Sequence, residues 1–244
     1  MKTYFNRRTI FVQIVTMLAL TLASCNDSEF LEEKPKDFLA PENAYSTLAG
    51  VKQGITGLHW TLRNDWYFGE EQQDVMSIYK ALGADIAFHG EDPNSTRFLC
   101  NYVNYLIPAS DYVREYWRRP YRIVQRANTL LVALEALDET LWTNATQKQE
   151  YIAEARFLRA WSYRLLVSFF GDVPVVTDII DEAKTDFVRD PVSKAYALME
   201  EDLNFAAQNL PDPGKEEDPG RVTKGAALHL LTEVYLMQKK YNEA

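Results

Sequence analysis

Two cysteines and three histidines are all that this 244-residue chain supplies of the side chains that most often build disulfide frameworks and transition-metal sites. Cys25 and Cys100 are too few for a stapled fold. His59, His89 and His229 lie far apart, and "HGED" has no zinc-ligand spacing. The acid-rich "DPGKEEDPG" lacks the alternation of an EF-hand loop. Neither a metal nor a cofactor is expected. Basic residues are in the minority, 26 Lys and Arg against 35 Asp and Glu, for a net charge of −9. Nucleic-acid binding needs clustered cations to neutralise phosphate, and adhesion to anionic lipid needs a polybasic patch. Both are excluded. A transmembrane helix is lacking too: the apolar run Ile10 to Ala23, broken by Gln13 and threonines, falls short of the about 20 residues a span requires.

That run nevertheless has a purpose. Lys2, Arg7 and Arg8 precede it and small residues follow it, the layout of a secretory signal. A basic flank followed by a mainly apolar run has no amphipathic face to pack as a core helix. Leu22, Ala23, Ser24 and Cys25 resemble a bacterial lipobox, which implies cleavage before Cys25 and lipid on its thiol. Several acyl chains anchor a protein stably, at about 0.8 kcal/mol per buried CH₂. Residues 1–24 carry three basic residues and no acidic one, so the remainder holds 23 against 35, a net of −12. Membrane attachment then falls to the lipid. Residues 26–40, "NDSEFLEEKPKDFLA", show no period and read as a tether; an acidic stretch after a lipidated cysteine also resembles the surface-export signal of Bacteroidetes lipoproteins.

Residues 41–244 read as one helical domain, and the fold class is all-α. Pro41 suits a first helical turn. Leu48, Val51, Ile55, Leu58 and Leu62 recur at spacings of three and four, as on an amphipathic helix. Residues 70–84 repeat the pattern with Val75, Ile78, Tyr79 and Leu82. Residues 85–110 lose it and read as an irregular, loop-rich stretch. A strong helix places Ile123, Ala127, Leu130, Leu131, Leu134 and Leu137 on one face, with Pro120 starting or kinking it. A stronger one carries Ile152, Ala155, Leu158, Trp161, Leu165 and Phe169, stopped by Gly171 and Pro174. "VPVVTDII" is extended. Asp190 and Pro191 are expected to cap and open a helix through Tyr196, Met199, Leu203 and Ala207. The last begins at Thr223 with Ala226, Ala227, Leu230, Leu231, Val234 and Tyr235 inward. "AALHLLTEVYLMQKKYNEA" resembles a tetratricopeptide unit, whose hairpins bury their apolar faces by stacking. Its second helix would open at "YNEA", so the chain is expected to be the N-terminal part of a longer protein.

In order, the lipobox, "PYRIVQRANTLL", "EARFLRAWSYRLLVSFFGDVPVV" and "GRVTKGAALHLLTEVYL" resemble the SusD/RagB family of Bacteroidetes outer-membrane glycan-binding lipoproteins. The resemblance implies tetratricopeptide-like hairpins with a loop-rich ligand region, surface exposure, no catalysis, and partnership with a TonB-dependent transporter of the SusC type. Glu154, Arg156, Arg159, Trp161, Tyr163, Asp172 and Pro174, its most recognisable residues, are better explained by packing and ion pairing than by ligand contact.

A sugar site needs aromatic platforms for C–H-rich faces and a few polar groups for hydroxyls. Two clusters off the core stripes offer both. "HWTLRNDWYF" holds His59, Trp60, Arg63 and Asn64 beside Trp66 and Tyr67. "FHGEDPNSTRFLCNYVNY" holds His89, Asp92 and Asn94, then Arg97, Asn101 and Tyr102. Trp66, Tyr67, Arg97, Asn101 and Tyr102 are the expected glycan contacts. Plugging a junction between helices would explain their aromatics equally well. Glu91 with Asp92, or Asp85 with Glu91, would give a glycosidase its carboxylate pair, but acids are too plentiful here for such a pair to signal chemistry. The alternative function is a helical-repeat scaffold for a peptide or protein partner.

Overall fold

The computed structural model describes residues 44–64, 107, 109–180 and 183–244. Among them are five α-helices, one short 3-10 turn and no strand, the all-α architecture the periodicity requires. The helices are α1 (Leu48–Leu62), α2 (Asp111–Ala136), α3 (Ala145–Phe170), α4 (Val192–Asn209) and α5 (Lys224–Met237). From α2 to α5 each helix packs chiefly on its neighbours in sequence, and α1 lies against α2 and α3. No described helix is long and apolar enough to cross a membrane.

Helix α1 starts at Leu48, and Pro41 lies outside the described residues. The Thr47 hydroxyl accepts from the Gly50 N–H at 3.1 Å, a cap worth about 1 kcal/mol. Val51, Ile55 and Leu58 are fully buried as the stripe predicts. Gly54 lets the helix come close to α2: a Cβ there would sit 2.9 Å from Leu130 Cδ1 and 2.7 Å from the Tyr45 ring.

Pro120 neither starts nor ends α2. It lies ten residues inside, where the helix runs on past the hydrogen bond that proline cannot donate. In α3 the expected single stripe gives way to burial almost all round, because α1, α2 and α4 cover it from different sides. Tyr151, Ala153, Ala155, Leu158, Ala160 and Tyr163 are all buried, whereas Phe169, placed inward by the period, is 41% exposed. Gly171 ends the helix at φ +65°, a conformation that costs other residues strain.

The charged residues of α3 are structural. Arg159 forms a bidentate pair with Asp202 of α4, both bonds 2.8 Å, and donates to Asn128 Oδ1 of α2 at 2.9 Å. All three are buried. Burial alone would lower the Arg159 pKa, but the Asp202 carboxylate outweighs it and holds the guanidinium above its ordinary value. Asn128 Nδ2 passes the network on to the Val176 carbonyl at 3.0 Å. Arg156 sits 4.5 Å over the Phe205 ring and 3.4 Å from Glu201.

The segment after α3 is extended, with one isolated antiparallel bridge between Val173 and Asp190. Asp190 does not cap α4. Its carboxylate accepts from Val175 N–H at 2.8 Å, and the free N–H of Val192 is taken by Asp172 at 2.8 Å. Within α4, Met199 and Leu203 are buried as expected, but Ala206, not Ala207, completes the stripe. In α5, Ala227, Leu230, Leu231 and Val234 are buried.

Arg159→Leu leaves the Asp202 carboxylate buried without its counter-ion. Urea unfolding is expected to show a loss of about 3–5 kcal/mol. Replacing both, Arg159→Met with Asp202→Leu, restores most of that loss, because no unpaired charge remains.

Candidate glycan-binding groove

Helix α2 and the extended segment after α3 form the two walls of a cavity of about 560 Å³. The segment is held mainly by side chains. The Tyr163 hydroxyl donates to the Val176 carbonyl at 3.1 Å and accepts from the Val176 N–H at 2.6 Å. Burial pushes this hydroxyl up to about 12, so it stays protonated and keeps both roles. The Tyr121 hydroxyl donates to the Pro174 carbonyl at 2.7 Å. Asn128 and Asp190 supply further anchors.

Aromatic rings line the groove. Trp117 and Tyr121 lie one helical turn apart, centroids 5.2 Å apart, and Phe170 meets Trp117 edge-on at 5.0 Å. Arg189 reaches over the Trp117 ring at 5.6 Å. Those contacts make Trp117 and Tyr121 a fixed floor. Phe187, 43% exposed, is the open aromatic wall. Val124, Pro174, Val176 and Ile180 complete the apolar surface. Arg114, Arg118, Arg122, Gln125 and Asp178 give it polar edges. A second recess of about 800 Å³ is lined by residues 174–180, 183–188 and 190 and shares this rim.

A smaller cavity of about 320 Å³ adjoins the other polar cluster, formed by α1, α3 and the loop before α5. Glu154, buried in α3, accepts from Arg221 Nε at 2.9 Å, and its other oxygen meets His59 Nε2. Glu217 accepts from Tyr151 at 2.7 Å and from Arg221 at 2.8 Å, and pairs with Lys52. Arg221 also covers the Tyr151 ring at 4.5 Å. Glu154, Glu217, Arg221 and Lys52 answer one another's charges, so the cluster reads as a clasp for the loop. Burial alone would raise the Glu154 carboxyl; the hydrogen bonds from His59 and Arg221, with the Arg221 charge, prevail and hold it below 4.5. Glu217 is held down mainly by Lys52 and Tyr151.

Cys25 and the five expected glycan contacts, Trp66, Tyr67, Arg97, Asn101 and Tyr102, lie outside the described residues. Of their neighbours, His59 serves the clasp, and Trp60 stands 52% exposed on α1. The groove residues went unnoticed in sequence, although one signal was present: Arg114, Arg118 and Arg122 recur every four residues beside Trp117 and Tyr121. Glu154, Arg159, Tyr163 and Asp172 do the structural work expected of them. Among the described residues no three His, Cys, Asp or Glu side chains converge as metal ligands would.

The family model described as starch-binding associating with outer membrane, SusD-like_3, matches residues 29–236, and the chain belongs to this SusD-like family. It is 27% identical over 238 residues to SusD-like protein P25 of Formosa agariphila, covering 94% of this chain and 44% of that protein. It is 25% identical over 233 residues to a SusD-like protein of Bacteroides ovatus, covering 94% and 39%. Among solved structures, a laminarin binding SusD-like protein superposes with a TM-score of 0.68 at 27% identity, over 82% of this chain and 42% of that one. A SusD homolog from Bacteroides thetaiotaomicron gives 0.66 at 29% identity, over 80% and 37%. The chain thus spans less than half the length of these relatives.

The depressed carboxyls of the clasp set an acid limit on stability. Glu154 and Glu217 contribute fully above their unfolded value of 4.5 and lose that contribution as pH falls through their lower folded values. Urea midpoints are expected to drop between about pH 5 and pH 3. In Glu154→Gln that acid-side drop becomes shallower, from a lower starting stability.

Proposed function

We propose that this chain belongs to a non-catalytic, cell-surface lipoprotein that captures oligosaccharide and passes it to a TonB-dependent transporter of the SusC type. The observation that carries the reading is the groove: an exposed aromatic wall and a fixed aromatic floor, edged by guanidinium, amide and carboxylate groups. Sugar rings offer apolar faces that aromatic side chains shield from water, and polar edges fix their orientation. Family membership supports a glycan ligand and an outer-membrane setting. The similarity of the fold to a laminarin binding SusD-like protein also supports the reading. Trp66, Tyr67, Arg97, Asn101 and Tyr102 would add contacts from the stretch between α1 and α2. Lipid on Cys25 would hold the protein at the membrane through the tether of residues 26–40.

Two measurements test this. Titration of the full chain with an oligosaccharide panel should give saturable binding while chromatography recovers the sugars uncut; cleavage at enzymatic rates defeats the proposal. Phe187→Ala is expected to weaken binding up to about tenfold, the worth of one aromatic contact, with helix content unchanged. If the panel is ignored and peptides bind instead, the scaffold alternative replaces it.

Lipidation is read separately. In a lipoprotein-processing bacterial host, the chain should take up labelled fatty acid and partition into detergent. Cys25→Ala is expected to abolish both.

A further inference from the structure

The groove differs in charge character from the rest of the chain. Net charge is −9 overall, yet among the described residues the cavity lining holds three arginines, Arg114, Arg118 and Arg122, against one carboxylate, Asp178. The arginines occupy successive turns of α2, each about 6 Å further along the axis. Opposite them, Arg189 adds a fourth guanidinium over Trp117.

This equipment suits a neutral sugar poorly. Hydroxyls need donors and acceptors alike, and Arg is a pure donor. Of the lining side chains, Gln125 and Asp178 are the strong acceptors. A guanidinium fork instead matches the paired oxygens of a carboxylate or sulfate. Two of the arginines have carboxylate partners on the same helix: Arg114 pairs with Asp111 at 2.8 Å, and Arg118 with Glu115 at 2.8 Å. Both arginine side chains are more than half exposed. The Arg114–Asp111 pair is exposed on both sides and worth about 0–1 kcal/mol, so an anionic ligand can displace it; Glu115 is only 18% exposed and held by two Arg118 nitrogens, so there a ligand shares the guanidinium with it. Glu115 also shows the strength of the local field: burial favours its neutral form, but Arg118 and Arg119 keep it ionised.

We propose that the groove selects acidic glycans, chains whose sugars bear carboxylate or sulfate groups. Anionic substituents meet Arg114, Arg118 and Arg122, and sugar faces rest on Phe187. This deepens the glycan-binding reading above and rests on it.

The experiment compares three oligosaccharide sets of matched length against the full chain: a neutral β-glucan, a polyuronate and a sulfated galactan. At low salt at least one acidic set is expected to bind about tenfold tighter than the neutral one. The two acidic arms show whether carboxylate or sulfate is preferred. The advantage should shrink as ionic strength rises from about 0.01 to 0.5 M, because screening lengths shorten. Arg114→Gln with Arg118→Gln should erase the acidic-over-neutral ratio. Asp178→Asn, which removes the one opposing charge of the lining, should raise it several-fold. The gain in that variant separates selectivity from damage to the fold, which circular dichroism checks independently. Equal affinity for neutral and acidic sets, or a ratio indifferent to the arginine changes, overturns the inference and leaves glycan binding standing. Binding of no glycan at all removes both.

Discussion

The bidentate contact between Arg159 and Asp202 is the constraint on which the described domain depends. It joins α3 to α4 inside the core, and through Asn128 it reaches α2 and the Val176 carbonyl. Two charges taken from water are tolerated only when every hydrogen-bonding position is answered. That demand fixes three helices and one extended strand of backbone relative to each other more tightly than apolar contact would. Leu and Ala side chains admit sliding; a planar fork on a carboxylate does not. The groove's two walls, α2 and the Pro174–Val176 backbone, are both tied to this network, so its width is set from the core.

Much of the fold was legible because burial leaves a period. In α1 one face meets the protein, and Val51, Ile55 and Leu58 repeat accordingly. The period fails for α3, which is covered from several sides, and there the sequence reads as a stripe where the structure has none. Caps were harder. Asp190 next to Pro191 looks like a helix start, yet its carboxylate is drawn across to Val175, while Asp172, twenty residues upstream of Val192, does the capping. Only the bridge between Val173 and Asp190 brings those groups together.

The groove was illegible for the same reason. Trp117 and Tyr121 belong to one helix and Phe187 to a segment some seventy residues later. Residue type drew attention to other aromatic clusters, and pairing the arginines and aromatics of α2 with Phe187 and Asp178 required knowing how the segment returns. The structural roles of Glu154, Arg159 and Tyr163 could be anticipated because a helix buried in a repeat has few other uses for them. Their partners could not, being 13 to 95 residues distant.

Among the described residues the extended wall has no neighbouring strand, and side chains replace one. Tyr163 alone serves as both donor and acceptor to Val176, and Tyr121, Asn128 and Asp190 grip the adjoining peptide groups. These anchors hold main-chain atoms and are blind to what the wall's own residues carry. Positions such as Thr177, Ile179 and Phe187 are therefore open to exchange without loosening the frame. One scaffold thus offers evolution an interchangeable face, on which descendants can turn to new ligands while the core that positions it stays untouched.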